Sequence, residues 1–335
     1  MSGPAPTPAH HHTSKEGTVR RFRSWPLLVV AAAALLLVAC ESEEAAEPEG
    51  DELVFEYGEE DPDDEPDDEP GDEDDDEPVE EDVDLEEVVD DYASTLPEGW
   101  LFESDVDAFA EGLEVDDAVL LDVREEDEFA EGHVPGAINI PIREIPDNLE
   151  LIPTDRPVWV MCLSGWRAGQ AMSALGMMGY DNLTAFPPGT QGWEADGREL
   201  VTDEEGERED FGDPGVAPEV EEAVGEYLAT MPEGYYGNSL DEVQEAVDAG
   251  AALVDVREPE EYEDGFIEEA ISVPLRTIAD PGEDIPTDTD VIIYCQSGYR
   301  AGLALPMAHV LGYDNAEGFP GSFAAWTEAG ETVTE

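Results

Sequence analysis

The chain carries the same text twice. Tyr92-Ala93-Ser94-Thr95-Leu96-Pro97-Glu98-Gly99 recurs 135 residues later as Tyr227-Leu228-Ala229-Thr230-Met231-Pro232-Glu233-Gly234. Cys162-Leu163-Ser164-Gly165-Trp166-Arg167 recurs at a spacing of 133 as Cys295-Gln296-Ser297-Gly298-Tyr299-Arg300, as do Asp122-Val123-Arg124 (Asp255-Val256-Arg257) and Trp193 (Trp326). A two-residue deletion ahead of the second Asp-Val-Arg reconciles the offsets. Each unit, about 110 residues, is the size of one domain. The boundaries this implies are 83–200 and 219–335, joined by a Glu-, Asp-, Gly- and Pro-rich linker at 201–218.

Within each unit short apolar runs alternate with helical patterns, the signature of an α/β fold: a parallel sheet with helices on both faces. Strands are expected at 118–123 and 252–256, and at 157–161 and 291–294, where they deliver the two cysteines. Helices are expected over 167–178 and 300–311, each ended by a Gly-Tyr-Asp-Asn turn, since glycine takes the left-handed conformation that stops a helix.

Composition narrows the function. There are 88 Asp and Glu against 13 Lys and Arg, for a formal charge of -75, and the only lysine is Lys15. Binding of nucleic acid through its phosphates is excluded on those grounds. Residues 41–90 hold 30 acidic and no basic side chains, while 91–335 hold 57 acidic side chains and nine arginines, a formal -48. Acid spread over a domain in this way suits concentrated salt, where charge repulsion is screened within a few ångströms, so a halophilic source is expected.

The first forty residues read as an export signal. Arg20, Arg21 and Arg23 precede 13 apolar residues at 27–39, too few to span a bilayer but the length of a signal-peptide core. Leu37-Val38-Ala39-Cys40 is similar to the lipobox of prokaryotic lipoproteins, which implies cleavage after residue 39 and a lipid on Cys40. Sec and twin-arginine export both remain open. His10, His11 and His12 lie in the removed segment and have no metal role. Residues 40–82 are dominated by Asp, Glu, Pro and Gly, and such a segment cannot bury enough surface to offset its ordering entropy, so a disordered acidic tether is expected. The run at 61–66 lacks the spacing of a calcium loop.

With Cys40 assigned to lipid, the other two of the three cysteines occupy equivalent positions in the two repeats. Equivalent residues of separate domains do not meet, so a disulfide between them is not expected, and two free thiols in an exported protein need a chemical reason. Each opens a loop at a strand-to-helix junction, where backbone N–H groups and the positive end of the helix favour a thiolate or a bound anion. Gly165 and Gly298 permit the tight curve. Ser164 and Ser297 can donate to an outer sulfur or oxygen, and Leu163, Gln296, Trp166 and Tyr299 complete the loops, the two aromatics as pocket walls. Arg167 and Arg300 are expected to clamp the loop carbonyls from inside.

Beyond the loops, Leu121-Asp122-Val123-Arg124, Glu128-Phe129 and 132–141 (Gly-His-Val-Pro-Gly-Ala-Ile-Asn-Ile-Pro), together with the Cys162 loop and the segment from Gly179 to Trp193, closely resemble the rhodanese family. The resemblance implies two tandem rhodanese-like domains. It also implies sulfur transfer: Cys162 and Cys295 take a sulfane sulfur from a small-molecule donor such as thiosulfate and pass it, as a persulfide, to a thiol or cyanide, with a sulfur-accepting protein as a further possible partner. No metal or organic cofactor is implied. A carrier that loads sulfur without turning over is the alternative. The phosphatase and arsenate-reductase relatives are disfavoured because their loops are one residue longer. The second repeat departs from the family pattern with Phe266 for His133 and Glu269 for Gly136.

No acid occurs at 157–180 or 291–313. Either these segments are buried, or carboxylates are kept from an anionic site; both fit the sequence. Trp193 and Trp326 are expected in the core, and Asp122–Arg124 and Asp255–Arg257 as structural ion pairs. The N-terminal reading gives a direct prediction. Expressed with its own leader, the protein should partition with membranes into detergent, and Cys40→Ser should abolish lipidation; wild type recovered wholly soluble and unlipidated from an export-competent host would refute it.

Overall fold

The computed structural model describes residues 83–97, 100–114, 117–280 and 285–334. The leader, Cys40 and the acidic tether lie outside the described residues. The first half contains α1 (Leu85–Thr95), α2 (Val106–Leu113), β1 (Val119–Asp122), α3 (Glu126–Glu131), β2 (Ala137–Asn139), β3 (Val158–Met161), α4 (Trp166–Met177), β4 (Leu183–Phe186) and α5 (Gly189–Ala195). The second half contains α6 (Pro218–Thr230), α7 (Leu240–Ala249), β5 (Ala252–Asp255), α8 (Pro259–Glu263), β6 (Phe266–Ile267), β7 (Ile271–Ser272), β8 (Val291–Tyr294), α9 (Tyr299–Val310), β9 (Ala316–Gly318), α10 (Ser322–Glu328) and β10 (Val333–Thr334).

Each half builds a four-stranded parallel sheet, ordered β2-β1-β3-β4 and β7-β5-β8-β9. The chain leaves β1 for β2 on one side and returns to β3 on the other. The crevice beyond the carboxyl ends of β1 and β3 is therefore the place where an open parallel sheet holds its ligand. Alternation along the strands divides the core. Val158 and Val160 face inward while Met161 faces a separate outer cluster around Phe109, Phe186 and Trp193. Val291 and Ile293 face inward, and Ile292 and Tyr294 join an outer cluster around Phe319 and Trp326. The period of two along a strand sets both assignments.

The inward cluster is continuous through both halves, running from Val89 and Leu121 to Val254 and Ile293. Helices α4 and α9 lie at its centre, with 10 buried residues each. They cross at their equivalent glycines: a Cβ on Gly169 would lie 2.7 Å from the Tyr299 carbonyl oxygen, and one on Gly302 would lie 2.9 Å from that of Trp166. Burial on all sides accounts for the absence of acid from both helices, because an unpaired carboxylate there would lose its hydration.

The first helix of each repeat reaches across the crossing. In the first half, Arg143 donates from Nε to Met231 O, which ends α6, at 3.3 Å; in the second, Arg276 donates to Leu96 O, which ends α1, at 2.8 Å. The linker lies along the first half, with Gly206 N–H on Ala137 O at 3.0 Å and Arg208 on Asn139 O at 2.8 Å. The substitutions in the second repeat preserve the packing. His133 stacks on Phe129 at 3.9 Å and Phe266 stacks on Tyr262 at 4.1 Å, while Glu269 keeps the left-handed backbone of Gly136, with φ of 65° and 82°.

The crossing carries a signed prediction. A helical Gly→Ala change ordinarily stabilises by up to about 1 kcal/mol. Gly169→Ala and Gly302→Ala should instead each destabilise by about 1–3 kcal/mol, because the methyl meets backbone rather than a yielding side chain. Urea midpoints decide it; a raised midpoint would mean that the helices do not touch.

Candidate active site

Cys162 leaves the end of β3 and Cys295 the end of β8, and both are buried free thiols. In each loop one amide donates to the sulfur itself, Gly165 N–H to Cys162 Sγ and Gly298 N–H to Cys295 Sγ, both at 3.1 Å. Those glycines have φ of 93° and 102°, and a Cβ would strike the carbonyl oxygen of Pro187 or Pro320 at 2.9 and 2.3 Å, so no other residue closes this turn. Helices α4 and α9 begin immediately afterwards, with their positive ends beneath the sulfur.

The closing arginines act otherwise than expected. Arg167 forms a two-pronged pair with Glu128, and Arg300 with Glu261 at 2.5 and 2.8 Å; neither holds the loop carbonyls. Those carbonyls accept instead from the first turns of α5 and α10. Thr190 and Gln191 N–H donate to Cys162 and Leu163 O, and Phe323 and Ala324 N–H donate to Cys295 and Gln296 O. A planar guanidinium matches a carboxylate's two oxygens better than scattered carbonyls do, and this decides its partner. The Arg167 and Arg300 hydrogen bonds hold the Glu128 and Glu261 carboxyls below the ordinary value. Burial works against the charge on Arg167, but the Glu128 hydrogen bond and the field of Cys162 outweigh it and raise its pKa.

The entrance to α5 and α10 distinguishes the two loops. Gly189 (φ 59°) has no room for a side chain, since a Cβ would sit 2.4 Å from Cys162 O. Its counterpart Ser322 takes φ 51° all the same, accepts from Cys295 N–H at 3.1 Å, donates to Phe319 O at 2.7 Å and places Oγ 3.8 Å from Cys295 Sγ.

Each site is covered by the other repeat. Trp166 donates from its indole to Tyr235 O at 3.0 Å, and Tyr299 donates from its hydroxyl to Trp100 O at 3.1 Å. The covering turns each hold two consecutive non-glycine residues in the left-handed region, Trp100 and Leu101 (both 54°), Tyr235 (52°) and Tyr236 (55°), a strain that only firm surroundings sustain. Each covering ring meets two equivalent arginines, Tyr235 with Arg143 at 4.5 Å and Arg167 at 4.8 Å, Trp100 with Arg276 at 4.2 Å and Arg300 at 5.3 Å, and Tyr235 also donates to Glu125 at 2.7 Å. Tyr299 thus walls a pocket, while Trp166 spans the contact between halves. Ser164, Gln296 and Ser297 also face the space above Cys295, and Leu163 is exposed beside Ser164.

The other expected roles are structural. Asp122–Arg124 and Asp255–Arg257 are buried pairs at 2.6 Å whose arginines also bind Gly132 O and Gly265 O. Trp193 and Trp326 are core residues that donate to Glu199 O and Thr332 O. Glu128, Glu261, Trp100, Tyr235 and Ser322 had no assigned role in the sequence, although Glu128 and Glu261 recur at the repeat spacing. Among the described residues no acid and histidine cluster fit for a metal ion occurs.

A rhodanese-like domain family model matches residues 105–196 and 239–329. A sulfurtransferase of Allochromatium vinosum is 34% identical over 91 residues, 27% of this chain and 85% of that protein. Thiosulfate:glutathione sulfurtransferase of Saccharomyces cerevisiae is 32% identical over 92 residues, 24% of this chain and 66% of that protein. The crystal structure of thiosulfate sulfurtransferase from Pseudomonas aeruginosa shares 26% identity, covering 70% of this chain and 43% of that one, with a TM-score of 0.28.

The arginine pairs predict acid behaviour. Their glutamates titrate below the ordinary value of 4.5, so the stability they add is complete above that pH and lost as pH falls through the depressed values. Glu128→Gln and Glu261→Gln should therefore lower the denaturation midpoint at neutral pH, and the gap to wild type should narrow as pH falls below the ordinary glutamate value of 4.5. A gap independent of pH would show that the pairs add no stability through charge.

Proposed function

The chain belongs to the rhodanese-like family, and on that premise we propose that it moves a sulfane sulfur through cysteine persulfides at Cys162 and Cys295. The observation that carries this reading is that both loops are complete, each with an amide on the sulfur and a helix N-terminus behind it. The thiolate attacks the outer sulfur of thiosulfate, the S–S bond of the donor breaks, sulfite leaves with the bonding pair, and a cysteine persulfide remains. Cyanide or a thiolate then attacks the terminal sulfur, and the cysteine leaves as thiolate. Loop amides stabilise the negative charge on sulfur at both stages.

Commitment of Arg167 and Arg300 to carboxylates supports sulfur over phosphate, because a tetrahedral oxyanion would need those guanidinium forks for itself. The reading places the protein outside the cell membrane, anchored through Cys40, and in concentrated salt.

Mass spectrometry of the intact protein after thiosulfate tests it. Two added sulfurs are expected in wild type, one in Cys162→Ser or Cys295→Ser, and none in the double variant, with steady turnover when cyanide is supplied. Loading without turnover would make the protein a carrier, and no loading at either cysteine would end the reading. Turnover at each site should rise from dilute buffer toward molar KCl, since a formal -48 repels a dianion until salt screens it.

A further inference from the structure

The two loops are near copies, but the chambers above them differ in chemistry. A cavity of about 520 Å3 opens over Cys295, and its walls include Trp100, Phe102, Pro187, Pro188 and Tyr299. Phe102 meets Tyr299 edge-on at 5.2 Å. Trp100 and Phe102 come from the first repeat. Their counterparts over Cys162 are Tyr235 and Gly237, which the matching bridges Phe102–Ala185 and Gly237–Gly318 place in register. Over Cys162 the tyrosine hydroxyl is bound to Arg167 and Glu125, and the Trp166 indole lies against Gly237 and Gly318, where a Cβ would come within 3.0 and 2.3 Å of it. The first site thus carries a polar cover with its own tryptophan packed beneath, and the second has open space whose lining sets these aromatic and proline faces beside the polar Ser104, Ser164, Gln296 and Ser297 and the paired Glu261 and Arg300.

Charge weighs against an anionic acceptor in the chamber as well. Arg300 in the chamber wall is spent on Glu261, and Arg276 behind Trp100 is paired with Glu258. No uncommitted cation faces the chamber among the described residues. A sulfonate or carboxylate seated there would lose hydration against aromatic rings inside a strongly negative domain. The two large apolar side chains that remain exposed among the described residues, Phe102 at 40% and Leu163 at 37%, both border this region, Leu163 being the chain neighbour of pocket-lining Ser164. On so acidic a surface, their position at one mouth marks an apolar approach.

Resting on the sulfur-transfer reading, we propose that the Cys295 site delivers its sulfur to an uncharged organic thiol with an apolar body, which Trp100, Phe102 and Tyr299 select. The acceptor thiolate attacks the terminal sulfur of the Cys295 persulfide, a new S–S bond forms in the acceptor, the S–S bond of Cys295 breaks, and Cys295 leaves as thiolate. The acceptor departs as its own persulfide, with no net oxidation. Phe102 is the specificity residue, since its counterpart over Cys162, Gly237 of the second repeat, has no side chain.

The test uses the full chain carrying Cys162→Ser, loaded with thiosulfate, and compares three alkyl thiols of similar acidity: 2-phenylethanethiol, 2-mercaptoethanol and 3-mercaptopropionate. The phenyl thiol should be used with kcat/KM about tenfold above mercaptoethanol, as burial of part of one ring allows, with mercaptopropionate slowest. The advantage should lie in KM, fall to about twofold in Phe102→Gly and be largely retained in Phe102→Leu; the Cys295→Ser chain, working through Cys162, should show no such preference. Circular dichroism confirms that the variants are folded. A loaded Cys295 that uses all three thiols alike, or a preference that Phe102→Gly leaves intact, overturns this inference alone. Failure of Cys295 to load while Cys162 loads overturns this inference alone, and failure of both cysteines to load overturns the sulfur-transfer reading with it.

Discussion

The contact on which the rest depends is the crossing of α4 and α9 at Gly169 and Gly302. Each helix carries a cysteine loop at its N-terminus, so bringing the helices to backbone contact places both cysteines around one core. Only glycine lets two helices approach until a main-chain carbonyl of one lies against the Cα of the other. The continuous cluster that results includes the inner faces of both sheets, and neither half can expose its α4 or α9 without uncovering a helix that has 10 buried residues. The duplicated sequence therefore yields two four-stranded parallel sheets and two outer cores, with a third core held in common.

That shared core gives the repeats a reciprocal relation. The turn after α1 supplies Trp100 to the Cys295 site, and the turn after α6 supplies Tyr235 to the Cys162 site. The segment Tyr-Ala-Ser-Thr-Leu-Pro-Glu-Gly and its copy are the approach to these covering turns, so the part of the repeat furthest in sequence from the cysteines completes the sites. Because cover and loop belong to different repeats, the two chambers diverge through substitutions at 100, 102, 235 and 237 while both loops stay intact. The lone hydroxyl of Ser322, which stands where Gly189 does, adds a second asymmetry beside Cys295.

The charge pattern has a simpler origin than electrostatic protection of the sites. Glu128 and Glu261 reach into them and are neutralised by the arginines that close the loops. Acid is therefore not kept from the neighbourhood of the thiols; it is kept from helices that are buried on every side. The acidic residues occupy the outer helices and turns, and the nine arginines of the folded region are drawn mostly into pairs that organise the sites and strand ends.

Local pattern was enough to recover the α/β class, the parallel strands that end in Cys162 and Cys295, the helices after them, the stopping glycines, the Asp–Arg pairs and the buried tryptophans. Each follows from nearest-neighbour physics: the periodicity of apolar residues, the φ that only glycine adopts readily, and charges two residues apart. The partner of Arg167 and Arg300 was not legible, because Glu128 and Glu261 lie 39 residues upstream and an arginine at a loop end can bind carbonyls or a carboxylate equally well on paper. Nor could the sequence say which helix face met which. A buried stripe specifies that it must be covered and leaves open by what; only the packing of α4 on α9 made the other repeat the cover and brought Trp100, Phe102 and Tyr235 over cysteines of the opposite half.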